Sequence, residues 1–164
     1  MVESETDELI SGLANVRRPG STHSEFGHWL NLRIRGILSV SSAQEEHDAL
    51  QRVLCDPMWN IVRAYSCRQA SVQLCRDRVA VIVCRDKLPD GTWRDVLSYI
   101  AELISPPSVV VTCDKIDEGL RSEVHELGGF DMLDKTLDPE TITHVIRAAW
   151  YHHSVLSETM EALH

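Results

Sequence analysis

The chain has 164 residues, of which 43% are hydrophobic and 25% are charged, proportions typical of a globular domain. No apolar run approaches the roughly 18 residues that a membrane-spanning helix needs, and the acidic N-terminal sequence MVESETDELI is unlike a signal or transit peptide. The formal net charge of −9 disfavours binding to the phosphate backbone of nucleic acids. We therefore expect a cytoplasmic protein that binds neither membranes nor nucleic acid.

The cysteines and histidines lack the spacing of a metal site. The five cysteines are odd in number and form no C-x-x-C pair, and the eight histidines are scattered, which disfavours both zinc and a disulfide framework. Small buried thiols in a reducing compartment are the simpler interpretation. We expect no metal and no cofactor. The cysteines are Cys55, Cys67, Cys75, Cys84 and Cys113.

The character of the sequence changes at about residue 30. Residues 1–29 mix acidic, basic and hydroxyl side chains with one brief apolar stretch, so we expect a mobile N-terminal tail. Residues 30–150 alternate strand-like and helix-like patterns and are predicted to form the folded domain. Residues 151–164 contain no glycine or proline and are predicted to extend the last helix.

Five apolar segments predict strands, at residues 32–40, 59–65, 79–84, 109–111 and 130–134. The third of these is continuously apolar, as expected for a central strand covered on both faces. Alternation with five helices implies a parallel sheet with right-handed crossovers. We predict an α/β fold: a flavodoxin-like, doubly wound, five-stranded parallel sheet of order 2-1-3-4-5, with ligands at the carboxyl ends of its strands.

Local signals predict where the helices begin and end. Residues 42–45 and 66–69 have the form of capping boxes. Asp138 before Pro139 predicts the start of the last helix, and Gly128 predicts a left-handed cap after the fourth. The apolar stripes are predicted to be Trp93, Val96, Leu97, Ile100 and Ile104 on the third helix, and Leu120, Val124 and Leu127 on the fourth.

Four motifs in chain order resemble the response regulator receiver domain, over residues 33–150. The stretch VIVCRDKLPDG, residues 81–91, looks like the family's third strand and the loop after it. Thr112 is similar to the hydroxyl residue that ends the family's fourth strand. Lys135 stands where the family keeps a lysine after its fifth strand, just beyond a matching glycine-glycine step at residues 128–129.

The departures from the family pattern carry the functional interpretation. The resemblance implies a phosphate-accepting aspartate four residues before the proline, where this chain has Arg85. It implies two magnesium-binding acids after the first strand, where this chain has Ser41 and Ser42. It implies an aromatic switch residue where this chain has Met132. Of the phosphorylation pocket only Thr112 and Lys135 remain.

These replacements remove the chemistry of phosphorylation. Phosphoryl transfer needs a nucleophilic oxygen and a cation that neutralises the phosphate, whereas Arg85 has no nucleophilic oxygen and stays protonated. Two serines are poor ligands for Mg²⁺. Arg85 and Lys135 together give this degenerate pocket two formal positive charges. We therefore predict no catalytic residue and no enzymatic activity.

Alternatives for the pocket remain open at this point. Arg85 is either a filler that pairs with Asp86 or Asp90, or part of an anion site with Ser41, Ser42, Thr112 and Lys135 near a helix N-terminus. Asp86 becomes the phosphate acceptor if the register is shifted by one residue, although strand alternation then turns its side chain away from the pocket. Cys84 and Cys113 are buried thiols or, alternatively, a redox switch.

The C-terminal helix pattern has a heptad rhythm. Its apolar positions are spaced alternately four and three residues apart, which is typical of a helix that packs against another helix. We expect the last four of them to project past the sheet and to form a dimer seam; a frayed end and a fold-back onto the domain are the alternatives. The positions are Ile142, Ile146, Ala149, His153, Leu156, Met160 and Leu163.

The functional hypothesis is a non-phosphorylatable receiver-like module of a bacterial two-component (phosphorelay) network. It is predicted to act by binding a histidine kinase, another regulator or a second copy of itself. The alternative is a sensor of an anion or small molecule that uses the vacated pocket. A flavodoxin-like enzyme is disfavoured, because the first loop lacks the glycine that lets a backbone wrap a phosphate.

Overall fold

The computed structural model describes residues 35–163, so the predicted tail and the first residues of the predicted first strand lie outside the described residues. A parallel sheet forms the centre of the fold, with strand order β2-β1-β3-β6-β7. A short antiparallel hairpin of β4 and β5 follows β3. The strands are β1 (Arg35–Val40), β2 (Trp59–Ala64), β3 (Val81–Arg85), β4 (Lys87–Leu88), β5 (Gly91–Thr92), β6 (Ser108–Cys113) and β7 (Asp131–Asp134).

Helices cover both faces of the sheet, because the central strands are apolar on both sides. Leu50 and Ile146, from the first and last helices, pack against Ile37 on one face. The other three helices pack against the opposite face, around Leu38 and Ile82. The helices are α1 (Gln44–Val53), α2 (Cys67–Arg76), α3 (Trp93–Ile100), α4 (Glu118–Glu126) and α5 (Pro139–Ala162).

This architecture confirms the predicted fold. Counted without the hairpin, the sheet has the order 2-1-3-4-5, and its neighbouring strands are parallel. The chain crosses from β1 to β2 on one side of the sheet and then to β3 on the other. The carboxyl ends of β1 and β3 therefore form the topological switch point, where ligands bind in folds of this type.

Several predicted boundaries are wrong. The capping box at residues 42–45 does not form: α1 begins after Ala43, which has no side-chain cap bond. Ile104 lies beyond α3, which ends at Ile100 before a proline-containing segment, and it is 76% exposed. Leu127 likewise follows α4 and is exposed. The apolar spacing of both helices continues to Ile104 and Leu127, although the backbone has already left the helical conformation at these residues.

Other helix ends match their sequence signals. Asp138 Oδ1 accepts a hydrogen bond from the amide of Thr141 at 2.7 Å, and Pro139 is the first residue of α5. Ser66 Oγ accepts from the amide of Gln69, as predicted for a cap of α2. These caps satisfy amide donors that the helices leave without an internal partner.

Asp90, in the hairpin after β3, supplies a cap that the sequence reading missed. Its carboxylate accepts hydrogen bonds from the amides of Cys67 and Arg68, at 2.8 and 3.0 Å, at the start of α2. These two bonds lower the pKa of Asp90. The hairpin is thereby tied to α2, and Asp90 is not a partner of Arg85, as one of the sequence alternatives had it.

The C-terminal part of α5 folds back onto the domain. His153 Nδ1 lies 3.1 Å from the carbonyl oxygen of Pro106, and Ser157 Oγ lies 3.2 Å from His153 Nε2. Ser157 also contacts Ser105 Oγ at 2.5 Å. The prediction that His153 projects past the sheet is therefore wrong. Leu156 and Leu163 do remain exposed, by 47% and 75%, whereas Met160 is partly buried.

Gly128 generates a prediction about stability. It follows α4 with φ of +101°, a conformation that disfavours any residue with a Cβ. We expect Gly128→Ala to lower the free energy of unfolding by about 1 kcal/mol in denaturant titration. Gly119→Ala, inside the same helix, is the matched control: its Cβ would meet no atom closer than 3.7 Å, so no loss of stability is expected. Equal effects of both substitutions would contradict the role of the positive φ.

Candidate functional site

The predicted pocket residues meet where four strands of the sheet end. Ser41 directly follows β1, Arg85 ends β3, and Lys135 directly follows β7. Thr112 in β6 is the register partner of Arg85. These four residues line one cavity. Ser42 does not line it, because its side chain is exposed on the outer side of the turn.

The Arg85 guanidinium is held by three carboxylates. Its nitrogens lie 3.1 Å from Glu46 Oε2, 3.3 Å from Asp86 Oδ1 and 2.6 Å from Asp114 Oδ1, and its side chain is 17% exposed. Burial by itself lowers the pKa of Arg85, but the hydrogen bond to Asp114 and the nearby carboxylate charges outweigh it and raise that pKa. Arg85 is therefore a permanent cation.

Lys135 shares two of these carboxylates. Its Nζ lies 3.1 Å from Asp114 Oδ1 and 3.8 Å from Glu46 Oε2. Arg85 first, and Lys135 second, lower the pKa of Asp114, so this carboxylate stays ionised. We call Arg85, Lys135, Glu46, Asp86 and Asp114 the ionic cluster; its formal charge is 2 − 3 = −1.

That charge corrects the sequence interpretation, which assigned the pocket two positive charges. Glu46 comes from the first turn of α1 and Asp114 follows the end of β6; neither was identified as a site residue. The sequence could have identified Glu46 and Asp114 only by their positions soon after two predicted strands, close to the carboxyl edge of the sheet. Of the alternatives for Arg85, pairing with Asp86 agrees with the structure.

Ser41 positions Glu46. Its hydroxyl donates to Glu46 Oε1 at 2.5 Å and accepts from the amide of Ala43 at 3.1 Å. Ser41 is itself buried. Ser41 thus holds the Glu46 carboxylate against Arg85, where the resemblance implies a metal-binding acid. Across the described residues, no group of three or more His, Cys, Asp or Glu side chains is arranged to hold a metal ion.

The remaining predicted site residues are buried in the core. Met132, at the switch position, is 1% exposed and packs with the cluster that contains Val109 and Val111. Cys84 and Cys113 are buried, and burial raises the pKa of both thiols. Since a thiolate is the reactive form, these cysteines fit the interpretation of buried thiols better than that of a redox switch.

His47 is a buried neighbour of the site that the sequence reading missed. Its Nε2 lies 2.8 Å from the carbonyl oxygen of Ser41 and its Nδ1 lies 2.8 Å from Ser39 Oγ. Because a carbonyl only accepts, Nε2 carries the proton and Nδ1 accepts from the Ser39 hydroxyl. The neutral ring thus holds the turn after β1 in place, and Tyr65 packs edge-on against it at 4.6 Å.

Solved structures match this fold. The signal receiver domain of a Luxo repressor protein from Vibrio parahaemolyticus gives a TM-score of 0.71 at 19% identity, covering 77% of this chain and 97% of that chain. The signal receiver domain of an HD domain-containing protein from Pseudomonas fluorescens gives 0.69 at 22% identity, covering 77% and 93%. The chemotaxis response regulator CheY4 of Vibrio cholerae gives 0.64 at 16% identity, covering 71% and 98%.

These similarities show that the chain has the fold of response regulator receiver domains. No protein-family model matches the sequence, and no curated protein matches it. In the part of the chain that the structure describes, no helix is both long and apolar enough to cross a lipid bilayer.

The buried His47 and the half-buried His153 generate a pH prediction. Burial lowers the pKa of His47 and of His153 below the ordinary value of 6.5. Below pH 6.5 the unfolded chain binds protons that the folded chain does not, so the free energy of unfolding should fall as the pH drops from 6.5 toward the lowered values. Denaturant titrations at several pH values measure this dependence. The free energy of unfolding should fall less steeply with decreasing pH for His47→Gln and for His153→Gln than for the unmodified chain, and least steeply for the double variant. The exposed His144 provides the control: a His144→Gln variant that flattens the fall equally would contradict this assignment.

Proposed function

We propose that this protein is a receiver-like signalling module that takes no phosphate and acts by binding other proteins of a two-component network. The observation that carries the proposal is the Arg85 guanidinium at the end of the central strand, paired with Glu46, Asp86 and Asp114. In the receiver domains that the sequence resembles, this strand end carries the phosphate-accepting aspartate.

The chemistry of the ionic cluster supports the loss of phosphorylation. A phosphoryl group approaching this pocket meets no nucleophilic oxygen at position 85, and the carboxylates around it are already paired with Arg85 or Lys135. A Mg²⁺ ion would have to displace the guanidinium, which stays charged at all physiological pH values. The cluster therefore occupies the space in which a phosphate and its metal would be held.

Binding to a protein partner is the activity that remains for such a module. Receiver domains are signalling domains, and the partner we propose is a histidine kinase or another response regulator. The strongly acidic sequence, with a net charge of −9, favours a partner surface that carries basic residues.

The first test is incubation with acetyl phosphate and Mg²⁺, followed by intact-mass measurement. We expect no mass increase for this protein, because position 85 carries no nucleophilic oxygen and the carboxylates of the ionic cluster are already paired with Arg85 or Lys135. A receiver domain with an intact aspartate serves as the positive control. An acid-labile adduct that peptide mapping assigns to Asp86 or Asp90 would overturn the proposal.

We further propose that a second copy of the chain is one such partner and that it contacts the end of α5. Leu156 lies in the last turns of α5 and Leu163 directly follows the helix, and both are exposed. Burying each would contribute on the order of 1–2 kcal/mol, since both are already partly covered. Association offsets part of that gain, so a dimer of modest affinity is expected, detectable in the high micromolar range.

Sedimentation velocity tests this dimer. We expect the full chain to dimerise at high micromolar concentration and a Leu156→Glu, Leu163→Glu double variant to be monomeric. Val155→Glu, on another side of the same helix and similarly exposed, is the matched control and should still dimerise. A wild-type chain that stays monomeric at these concentrations, or a control that dissociates equally, would show that the leucine pair is not a dimer seam.

A further inference from the structure

The cavity that Arg85, Glu46 and Lys135 line has a volume of about 440 Å³ and extends between α1 and Ile142 of α5. Most of its wall surface is apolar and comes from these helices and from the strand ends beneath them. The strand residues include Ser39 of β1 and Val83 of β3, so the cavity lies at the topological switch point of the sheet. Its size and position are those of small-molecule sites in folds of this type. The apolar wall residues are Ala49, Leu50, Val53, Val83, Leu133 and Ile142.

The charged groups at the inner end of this cavity already have partners. Arg85 and Lys135 are paired with Glu46 and Asp114, and Asp134, which also lines the cavity, accepts hydrogen bonds from the amide and the hydroxyl of Thr136. At the exposed rim, α1 contributes one residue of each sign, Glu45 and Arg52. The rim therefore adds no net charge to the cavity.

We propose that this cavity binds a neutral, largely apolar small molecule that fits within its volume of about 440 Å³. The proposal rests on the proposed function, since it requires a pocket that no longer holds phosphate and metal. It also specifies the chemistry of the sensor alternative, in which the vacated pocket was expected to hold an anion.

The ionic cluster is the reason for the preference. An anionic ligand would have to compete with Glu46 and Asp114 for Arg85, and every contact it gained would leave a protein carboxylate without its cation. A cationic ligand would meet the same difficulty in reverse, because the carboxylates are already occupied. A neutral ligand leaves the cluster intact and gains free energy by covering the apolar wall side chains that remain in contact with water, Ala49, Val53 and Ile142.

The test is a titration followed by methyl NMR of the full chain with three probes that share one ring. They are 3-methylindole, which is neutral, indole-3-acetate, which is an anion, and tryptamine, which is a cation. We expect saturable shifts of the methyl groups of Leu50, Val53 and Ile142, and a Kd for 3-methylindole at least ten-fold lower than for either charged probe.

A pair of tryptophan variants on α1 locates the site. Ala49 lines the cavity and is exposed, so Ala49→Trp should fill the opening without removing a core side chain and should weaken 3-methylindole binding at least ten-fold. Gln51→Trp, on the same helix but outside the cavity lining, should bind as the unmodified chain does.

Several results would overturn the inference: absence of saturable binding of 3-methylindole, equal or tighter binding of a charged probe, or unchanged binding by Ala49→Trp. Its failure is distinguishable from failure of the proposed function. A chain that binds none of the probes yet takes no phosphate from acetyl phosphate refutes only the ligand site. A chain that acquires a phosphoryl group refutes the proposed function itself.

Discussion

The geometry of the site depends on the ion pairs between the Arg85 guanidinium and three carboxylates. Glu46 belongs to α1, Asp86 to the segment after β3, and Asp114 to the loop after β6. Without a cation among them, these like charges would repel one another at the edge of the sheet. Arginine suits this position because its planar group offers five N–H donors in different directions, whereas a lysine ammonium is a single point charge.

This arrangement joins α1, the end of β3 and the loop after β6 at one place. The resemblance to receiver domains implies a phosphate-accepting aspartate there. In this chain the Arg85 guanidinium is a permanent part of the pocket, and it stays positively charged throughout the physiological pH range. Met132, where the resemblance implies an aromatic switch residue, is enclosed in the core. On the proposed function, the partner-binding surface is therefore presented continuously, and its control lies in the abundance of partners or in a ligand between α1 and α5.

Two further joints keep the neighbouring segments in place. Asp90 ties the hairpin after β3 to the start of α2, and His47 ties α1 to the turn after β1 through two hydrogen bonds. In both cases a polar side chain of one element forms hydrogen bonds with backbone or hydroxyl groups of another element. The loops around the pocket are thus fixed by specific bonds rather than by apolar packing alone, which is consistent with a scaffold that presents one surface.

The sequence by itself determined the sheet and the positions around its carboxyl edge. Apolar runs predict strands because burial on both faces requires them, and alternation with helices permits few topologies; Ser41, Arg85, Thr112 and Lys135 therefore meet as expected. Only the tertiary structure decided what those residues do. Glu46 lies 39 residues from Arg85 in the chain and Asp114 lies 29 residues away, and ion pairing depends on side-chain direction, which no local pattern encodes. The same reason applies to α5. Its heptad rhythm predicts an apolar stripe, but it does not predict whether His153 contacts a second chain or its own domain. The contact with the Pro106 carbonyl depends on the path of a loop that lies 47 residues earlier in the chain.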